Sequence, residues 1–375
     1  ASKHHEIEVK NLKPGTKYVY QVICGDLTRS YELRTAPREG SDEAFTFAYT
    51  SDSRHGKGGG ERDIHGVNAY IMKRIFAAAS HHDARFMQFT GDLIDGYLNH
   101  PDEMKLQYAN WKRAVEPYAH YLPFYAGFGN HEALTTVFND GSKYGVSVDR
   151  FPYDSGSAEK VFAEMFVNPE NGPVSEDGAS YDPEPGVRNF PSYKENAFYY
   201  TYANVAIVSL NSDYWYSPSL QYNPEISGNL HGYIMNQQLA WLRKTLSNLE
   251  KNQNIDHILV TQHTPAFPNG GHVDDDMWYD GNNKPRPYVN GEQVEKGIIE
   301  RRDEYLDVVI NQSDKVRAIL TGDEHNYNKI KIAQDMPRYP DDYEQEKLTL
   351  ERAVWQINNG AAGAPYYAKE KTPWM

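Results

Sequence analysis

The chain has 375 residues, which is enough for one large domain or two of ordinary size. Its formal net charge of −14 and the lack of a basic block argue against a nucleic-acid polymer or an anionic membrane surface as partner. Cys24 is the single cysteine, which excludes an internal disulfide framework, and no run reaches the ~20 apolar residues of a membrane helix.

Residues 6–35 are predicted to form a few β-strands. Apolar and polar residues alternate in EIEVKNLKPGTKYVYQVICGD, and TRSYELRTAP adds one more strand. The first strand is expected around Ile7 and Val9, followed by a turn at 12–15. Two or three strands without a covering layer are marginal, so they must pack on the rest of the chain or on preceding sequence. Residues 37–44, PREGSDEA, are predicted to be a linker.

From residue 45 onward, predicted strands alternate with predicted helices, which favours a layered α/β fold. A hairpin is expected in FYYTYANVAIVSLNS, around Ala203–Asn204. The first helix is expected to present one apolar face, made of Ile64, Val67, Ile71, Ile75 and Ala78. Three stretches rich in Gly, Pro and Tyr are predicted to be loops at the rim of a substrate site: 139–195, 213–232 and 267–300.

Five predicted strands end in side chains that can bind a metal ion. These residues are Asp52, Asp92, Asn130, His263, and Asp323 together with His325. One such ending is an ordinary turn, but ligands of open α/β sheets bind at the carboxyl ends of strands. Carboxylate, amide and imidazole groups gathered at one edge suit a divalent metal cluster.

In this order, the motifs SDS, GDLID, GNHE, TQHTP and TGDEH resemble those of the calcineurin-like metallophosphoesterases over most of residues 45–365. The early strands, with NLKPGTKYVYQV and TAP, resemble the end of a fibronectin type III-like module, and the combination resembles purple acid phosphatases. The resemblance implies a four-layer α/β sandwich, with two central β-sheets flanked by helices, over residues 45–375. It implies a partial all-β sandwich module over residues 1–38.

The resemblance also implies roles for individual residues. Asp92 matches the carboxylate that bridges two metals, and His131 matches the histidine that contacts phosphate or protonates the leaving group. The other matches are metal ligands: Asp52 and His325 for the first metal, Asn130 and His263 for the second. The implied cofactor is one or two divalent ions of Mn, Fe, Mg, Ca or Zn.

Three positions depart from the family pattern. Arg54 replaces the usual histidine of the first motif, and Asp95 replaces the tyrosine ligand of purple acid phosphatases. Asp323 replaces a histidine of the last motif, which would favour hard cations such as Mn²⁺, Mg²⁺ or Ca²⁺ over Zn²⁺. Arg54 would repel a cation but can bind phosphate through a bidentate contact. Three versions stay open: two metals with altered ligands, one metal plus Arg54, or a degenerate site.

Other polar residues near the motifs have simpler expected roles. Asp95 is expected to accept hydrogen bonds beside the ligands, Glu132 to orient its neighbouring histidine or a loop, and Glu324 to face solvent. For His272, a surface position and a contact with substrate are equally supported. The run HGKGGG at 55–60 is a weak indication of a phosphate cradle.

The expected reaction is hydrolysis of a small-molecule phosphate ester. Metal ions would activate water for in-line attack on phosphorus, with Arg54, His131 and His272 as candidate substrate-binding residues. A phosphomonoesterase is favoured. The alternatives are a phosphodiesterase acting on nucleotide or lipid head-group esters and a catalytically degenerate phosphate-ester-binding protein. The N-terminal module favours a periplasmic or secreted location and leaves room for a partner of that module.

Overall fold

The computed structural model describes residues 5–54, 64–150, 153–220, 223 and 225–374. The glycine-rich run at 55–60, with its weak indication of a phosphate cradle, lies outside the described residues. None of the described helices combines the length and apolar character that a bilayer-spanning segment needs.

The N-terminal strands form a two-stranded antiparallel hairpin, β1 (Lys17–Cys24) and β2 (Leu27–Arg34). The hairpin contacts the main body at His120, whose carbonyl accepts from Tyr20 Oη at 3.1 Å and whose ring stacks on Tyr31. The strand expected around Ile7 and Val9 is wrong. Both side chains are exposed, and among the described residues that segment pairs with no strand. Without a partner strand its backbone forms no ladder of hydrogen bonds, so the alternating pattern alone does not make it a strand.

A three-stranded parallel sheet opens the main body, in the order β3 (Thr46–Thr50), β4 (Ala84–Phe89), β5 (Phe124–Ala126). Its outer face is covered by an apolar cluster from the helices that connect or follow these strands. These helices are α1 (Ala69–His81), α2 (Pro101–Ala119) and α4 (Ala158–Met165), and the single turn α3 (Tyr153–Gly156) precedes α4.

The apolar face expected for α1 is correct only in part. Val67 is buried and Ile75 packs against the core, but the helix itself buries Ala69, Met72, Phe76 and Ala79, and Ala78 is exposed. Ile64 and Val67 precede the helix and pair with each other in a tight antiparallel bridge. They therefore do not belong to the 3.6-residue repeat that sets which side of the helix is buried.

A six-stranded mixed sheet forms the second central layer. Its strands are β6 (Phe198–Tyr202), β7 (Val205–Ser209), β8 (His257–Thr261), β11 (Val316–Thr321), β12 (Tyr327–Ile332) and β13 (Val354–Asn359). They lie in the order β12-β13-β11-β8-β7-β6; the four central strands are parallel, and both edge strands are antiparallel to their neighbours. Its outer face packs on α5 (Asn236–Lys251), α6 (Ile298–Leu306) and the following π-turn, while β9 (Tyr288–Val289) and β10 (Glu292–Gln293) form a separate small ladder.

The two sheets face each other through aromatic side chains. Tyr125 of the smaller sheet stacks on Tyr200 of the larger one with ring centroids 3.7 Å apart, and Tyr200 Oη donates to Gln88 at 2.8 Å. Tyr49 Oη reaches across to donate to the carbonyl of Ile357 at 2.8 Å. Helices therefore flank two stacked sheets, and the predicted four-layer α/β sandwich is confirmed.

The stretches predicted to be rim loops contribute many buried side chains, and 139–195 contains the helix α4 rather than loop alone. Tyr144, Tyr193, Tyr214 and Trp215 lie in one aromatic cluster with 0 or 1% exposure. The abundance of tyrosine in these stretches therefore serves packing. Parts of 213–232 and 267–300 also pass next to the carboxyl ends of the strands, where they contribute polar side chains.

Candidate metal centre

The side chains that follow the parallel strands meet at one place between the two sheets. Asp52 follows β3, Asp92 follows β4 and Asp323 follows β11, and all three carboxylates are buried. Each of these aspartates has a positive φ, of 65°, 53° and 69°. This backbone conformation is unfavourable for most residues, is tolerated best by Asp and Asn after Gly, and clusters at functional sites. The positive φ turns the backbone sharply at each of the three strand ends, so that the three carboxylates approach one another.

Four donor atoms surround one point beside Asp92. His263 Nε2 lies 3.2 Å from Asp92 Oδ1, 3.2 Å from Asp323 Oδ1 and 3.1 Å from Asn130 Oδ1. Oxygen and nitrogen ligands of a cation with bonds of ~2.1 Å stand roughly 3 Å apart, so these separations match a coordination shell. Asp52 offers a further buried carboxylate, whose Oδ1 has no hydrogen-bond partner among the described residues. The donor set fits a divalent cation.

Glycines allow this close approach. A Cβ at Gly129, directly before Asn130, would lie 2.5 Å from Asp92 Oδ1 and 2.8 Å from His263 Cδ2. A Cβ at Gly322, directly before Asp323, would lie 2.1 Å from Ser51 Oγ. The glycines of GNHE and TGDEH are therefore required by space as well as by the turn.

The histidines at the centre share one orientation. His131 Nδ1 donates to the Asp95 carbonyl at 2.5 Å, and His325 Nδ1 donates to the Pro365 carbonyl at 2.6 Å. Their Nε2 atoms then face Asp92 and Asp52, respectively. An imidazole held through Nδ1 presents a fixed Nε2 to a metal or a substrate. The expected acceptor role of Asp95 is thus carried by its backbone carbonyl for His131.

Arg54 lies where the family pattern would lead one to expect a metal-binding histidine. Its Nη2 is 3.3 Å from His325 Nε2 and 3.2 Å from Tyr367 Oη, and its Nε is 3.7 Å from Asp92 Oδ2. The guanidinium therefore fills the space between Asp92 and His325. Its Nε has no hydrogen-bond partner among the described residues, so one buried donor remains available to a ligand.

Two residues that sequence reasoning did not identify complete the centre. His231 Nε2 lies 2.7 Å from Asp323 Oδ2 and 3.1 Å from Asp276 Oδ1, and all three side chains are buried. His272, one of the candidate substrate contacts, lies beside them with Nε2 3.6 Å from Asp323 Oδ1. The sequence signal for His231 and Asp276 was weak, since both lie in stretches with no strand or helix to phase them.

Two glutamates beside the motifs organise the backbone. Glu132 accepts from the N–H groups of Gly129, Asp92 and Leu93 at 2.7–2.9 Å, so it orients the loops, as one of its two expected roles proposed. The expectation that Glu324 faces solvent is wrong. It is buried because two backbone N–H groups, at 269 and 270, donate to its carboxylate at 2.9 Å and tie it to the segment that leads to His272.

Charge at the centre is strongly coupled. Burial alone would raise the pKa of Asp323, but His272, His231 and His263 together lower it well below its usual range. Burial would lower the pKa of His263, yet Asp92 and Asp323 raise it well above its usual value. Without another cation, the imidazoles must carry the protons that balance the carboxylates. A divalent ion would take over this balance and displace those protons.

These donors, at the carboxyl ends of strands in two stacked sheets, define a candidate centre for divalent cations. A sequence model described as calcineurin-like phosphoesterase matches residues 63–327. The chain therefore belongs to the calcineurin-like phosphoesterase family, and the resemblance predicted from the motifs is confirmed.

Individual proteins are similar to smaller or larger parts of the chain. Purple acid phosphatase 5 of Arabidopsis thaliana is 31% identical over 130 residues, covering 34% of this chain and 29% of that protein. The structure of a purple acid phosphatase from yellow lupin (Lupinus luteus) seeds gives a TM-score of 0.57 at 15% identity, covering 97% of this chain and 54% of that one. A structure of PhoD gives 0.56 at 15% identity, covering 94% and 63%. These structures show the fold, and the matched curated relative is much longer than the matched region.

Proposed function

We propose that the protein hydrolyses phosphate esters, with monoesters favoured. One observation carries the proposal. Asp92 Oδ1 belongs to the cation donor set, while Asp92 Oδ2 is 3.7 Å from both Arg54 Nε and His131 Nε2. These distances are too long for hydrogen bonds, so both groups are free to contact another acceptor. The carboxylate of Asp92 therefore lies between the cation donor set on one side and Arg54 and His131, which can bind phosphate, on the other.

Different residues of the site would bind the cation and the phosphoryl group. Asp92, Asn130, His263 and Asp323 would hold a divalent cation, with Asp52 close by. When bound, such an ion supplies positive charge that polarises a phosphoryl group and acidifies water. Arg54 binds phosphoryl oxygens and stabilises the charge that develops on them during in-line displacement.

His131 acts on the oxygen that enters or leaves. Its ring is fixed by the Asp95 carbonyl, and its Nε2 faces the same space as Arg54. A partly exposed imidazole in this position can hydrogen-bond to the ester oxygen or exchange a proton with it. Its side chain is 13% exposed and that of Arg54 is 15% exposed, so a small ester reaches both from solvent.

A monoester is favoured over a diester because its dianion offers more charge to Arg54 and the cation together. The test compares hydrolysis of a chromogenic monoester with that of the matching diester, using protein reloaded with Mn²⁺. A higher kcat/KM on the monoester supports the proposal. A higher value on the diester would favour the phosphodiesterase alternative, and no hydrolysis of either would favour the degenerate binding protein.

A matched pair of variants tests whether the centre performs the reaction. Asp92 and Asp83 both have positive φ, of 53° and 54°, so asparagine suits the backbone at either position. Asp92→Asn is expected to abolish hydrolysis, because it removes charge from the donor set. Asp83→Asn, at an exposed turn, is expected to leave it unchanged. Full activity in Asp92→Asn would overturn the proposal.

We further propose that the protein works outside the cytoplasm and that the β1–β2 hairpin forms part of a larger β module. The hairpin exposes Val19, Val22, Ile23 and Leu27, which is consistent with further covering structure. Fractionation of cells that express the full-length gene product tests the location, and recovery in the cytoplasm would contradict it.

A further inference from the structure

A second donor group shares Asp323 with the first. His231, His272 and Asp276 contribute it together with Asp323, and one ligand atom from each lies within 4.8 Å of all the others. His231 Nε2 is 2.7 Å from Asp323 Oδ2 and 3.1 Å from Asp276 Oδ1. Two imidazoles and two carboxylates form a donor set suited to a transition-metal dication.

Both imidazoles of this group are oriented as metal-binding histidines are. His231 Nδ1 contacts Asp213 Oδ1 at 2.5 Å, and His272 Nδ1 contacts Asp275 Oδ1 at 3.0 Å. A carboxylate that accepts from Nδ1 fixes the ring and makes Nε2 a better ligand. In both residues it is Nε2 that faces Asp323. One anchored imidazole would be enough for an ion pair with Asp323. Here two imidazoles, each anchored through Nδ1, direct Nε2 toward the same carboxylate.

Asp276 gives an independent indication. It is completely buried, and neither of its carboxylate oxygens has a hydrogen-bond partner among the described residues. Its ion-pair contact is to His231, which Asp213 and Asp323 also contact. A buried carboxylate without hydrogen bonds is costly unless a cation compensates it. The His231 contact involves Oδ1, which leaves Oδ2 of Asp276 buried without a hydrogen bond among the described residues and marks a place for positive charge.

The opposite side of the centre already contains a cation. The Arg54 guanidinium lies between Asp92 and His325, within 3.3 Å of His325 Nε2. A second metal ion next to a permanently charged guanidinium would be repelled. The side of the centre near Asp276 has no such guanidinium among the described residues. With Asp213 and Asp275 behind the two imidazoles, four carboxylates there face two histidines.

We propose that Asp323 bridges two divalent cations. One is held by Asp92, Asn130, His263 and Asp323, and the other by His231, His272, Asp276 and Asp323. Asp323 Oδ1 lies 3.2 Å from His263 Nε2 and 3.6 Å from His272 Nε2, and its Oδ2 lies 2.7 Å from His231 Nε2, so this one carboxylate contacts both donor groups. Aspartate at position 323, where the family pattern has histidine, thereby allows the second metal to bind away from Arg54. The inference rests on the proposed function only in that both assume the first cation. Counting bound metal ions tests the second cation independently of catalysis.

The test counts metal ions. The full chain is stripped with chelator, reloaded with Mn²⁺, desalted and analysed for manganese per chain, with circular dichroism to confirm folding. The unsubstituted protein is expected to hold two ions. Asp276→Asn and, independently, the less buried His272→Gln are each expected to hold one. Asp274→Asn is the matched control, because its side chain is an exposed neighbour in the same loop, and it is expected to hold two.

His325→Gln separates this arrangement from the family pattern. If Asp323 bridges the ions, this variant keeps two, and electron paramagnetic resonance of the Mn²⁺ protein shows coupled ions that become uncoupled in His272→Gln. Loss of one ion in His325→Gln would overturn the proposal, as would two ions in folded Asp276→Asn or folded His272→Gln. One ion in the unsubstituted protein would also overturn it. Hydrolysis that fails while two coupled ions are present would refute the proposed function and leave the bridge intact.

Discussion

Arg54 places its Nη2 3.3 Å from Nε2 of His325, so a fixed positive charge lies against a histidine that the motif pattern assigns to a metal. The ring of Tyr367 stacks on His325 and its hydroxyl accepts from Arg54, which holds both groups in place. A permanently charged side chain therefore lies beside the histidine to which the family resemblance assigns a metal ion.

Replacement of Arg54 by lysine is expected to impair phosphate binding while the protein stays folded. Lysine keeps the charge but loses the planar fork that can contact two oxygens, at a cost of about 1.5–3 kcal/mol for a charged hydrogen bond. The expected result is a kcat/KM lower by roughly 10- to 100-fold on a monoester, with manganese content unchanged. Arg74→Lys, on the exposed side of α1, serves as control. An unaltered kcat/KM in Arg54→Lys would remove Arg54 from the substrate site.

Replacement of Glu132 by glutamine is expected to destabilise the loops at the centre. Three backbone N–H groups donate to the two oxygens of Glu132, and an amide NH₂ in place of one oxygen would face a donor. Leaving buried donors unpaired costs ~1–3 kcal/mol, so thermal or urea unfolding should show a loss of this size. Glu116→Gln, at an exposed position of α2, should show little change. Equal stability of the two variants would contradict this role.

Stability is expected to fall as pH rises from about 5 to 7, because of two buried carboxyl groups away from the centre. Burial raises the pKa of Glu159 to about 7, and burial together with Glu159 raises the pKa of Asp149 well above its usual range. Between the unfolded and folded pKa values the folded state holds more protons, so unfolding becomes easier as pH increases. The contribution of Glu159 is about 1–3 kcal/mol.

Glu159→Gln provides the check, since its neutral side chain can still accept from Trp215 N. The free energy of unfolding of this variant, measured in urea at several pH values, is expected to vary less between pH 5 and 7 than that of the unsubstituted protein. Glu346→Gln, an exposed control, should retain the original slope. Parallel curves for the unsubstituted protein and Glu159→Gln would count against the buried pair as the cause.

Removal of metal is expected to lower the melting temperature. A cation bound by the folded donor set and not by the unfolded chain stabilises by ~2.7 kcal/mol when its free concentration is 100 times its Kd. Calorimetry with and without chelator measures the shift, and Asp92→Asn should show a much smaller one. A melting temperature that is insensitive to chelator and to added Mn²⁺ would speak against a folded-state metal site.

The strand ends were predictable because a local rule governs them. An apolar run followed by Gly-Asp or Gly-Asn marks the end of a buried strand, and parallel strands bring such ends to one edge. Asp92, Asn130, His263 and Asp323 do meet there, within 3.2 Å of one another in the pairs that include His263. The phase of α1 was not predictable in the same way, because Ile64 and Val67 match the helical repeat but lie before the helix.

By itself the sequence determined the layered fold and the residues at the strand ends, because periodicity and turn chemistry act between near neighbours. Tertiary structure alone decided that His231 lies 2.7 Å from Asp323, 92 residues later, and that Asp276 points its buried carboxylate at the same point. Both residues lie in irregular segments whose path is set by aromatic packing rather than by hydrogen-bond repeats. No local sequence pattern predicts these contacts, because they depend on how segments far apart in the chain pack beside the two sheets.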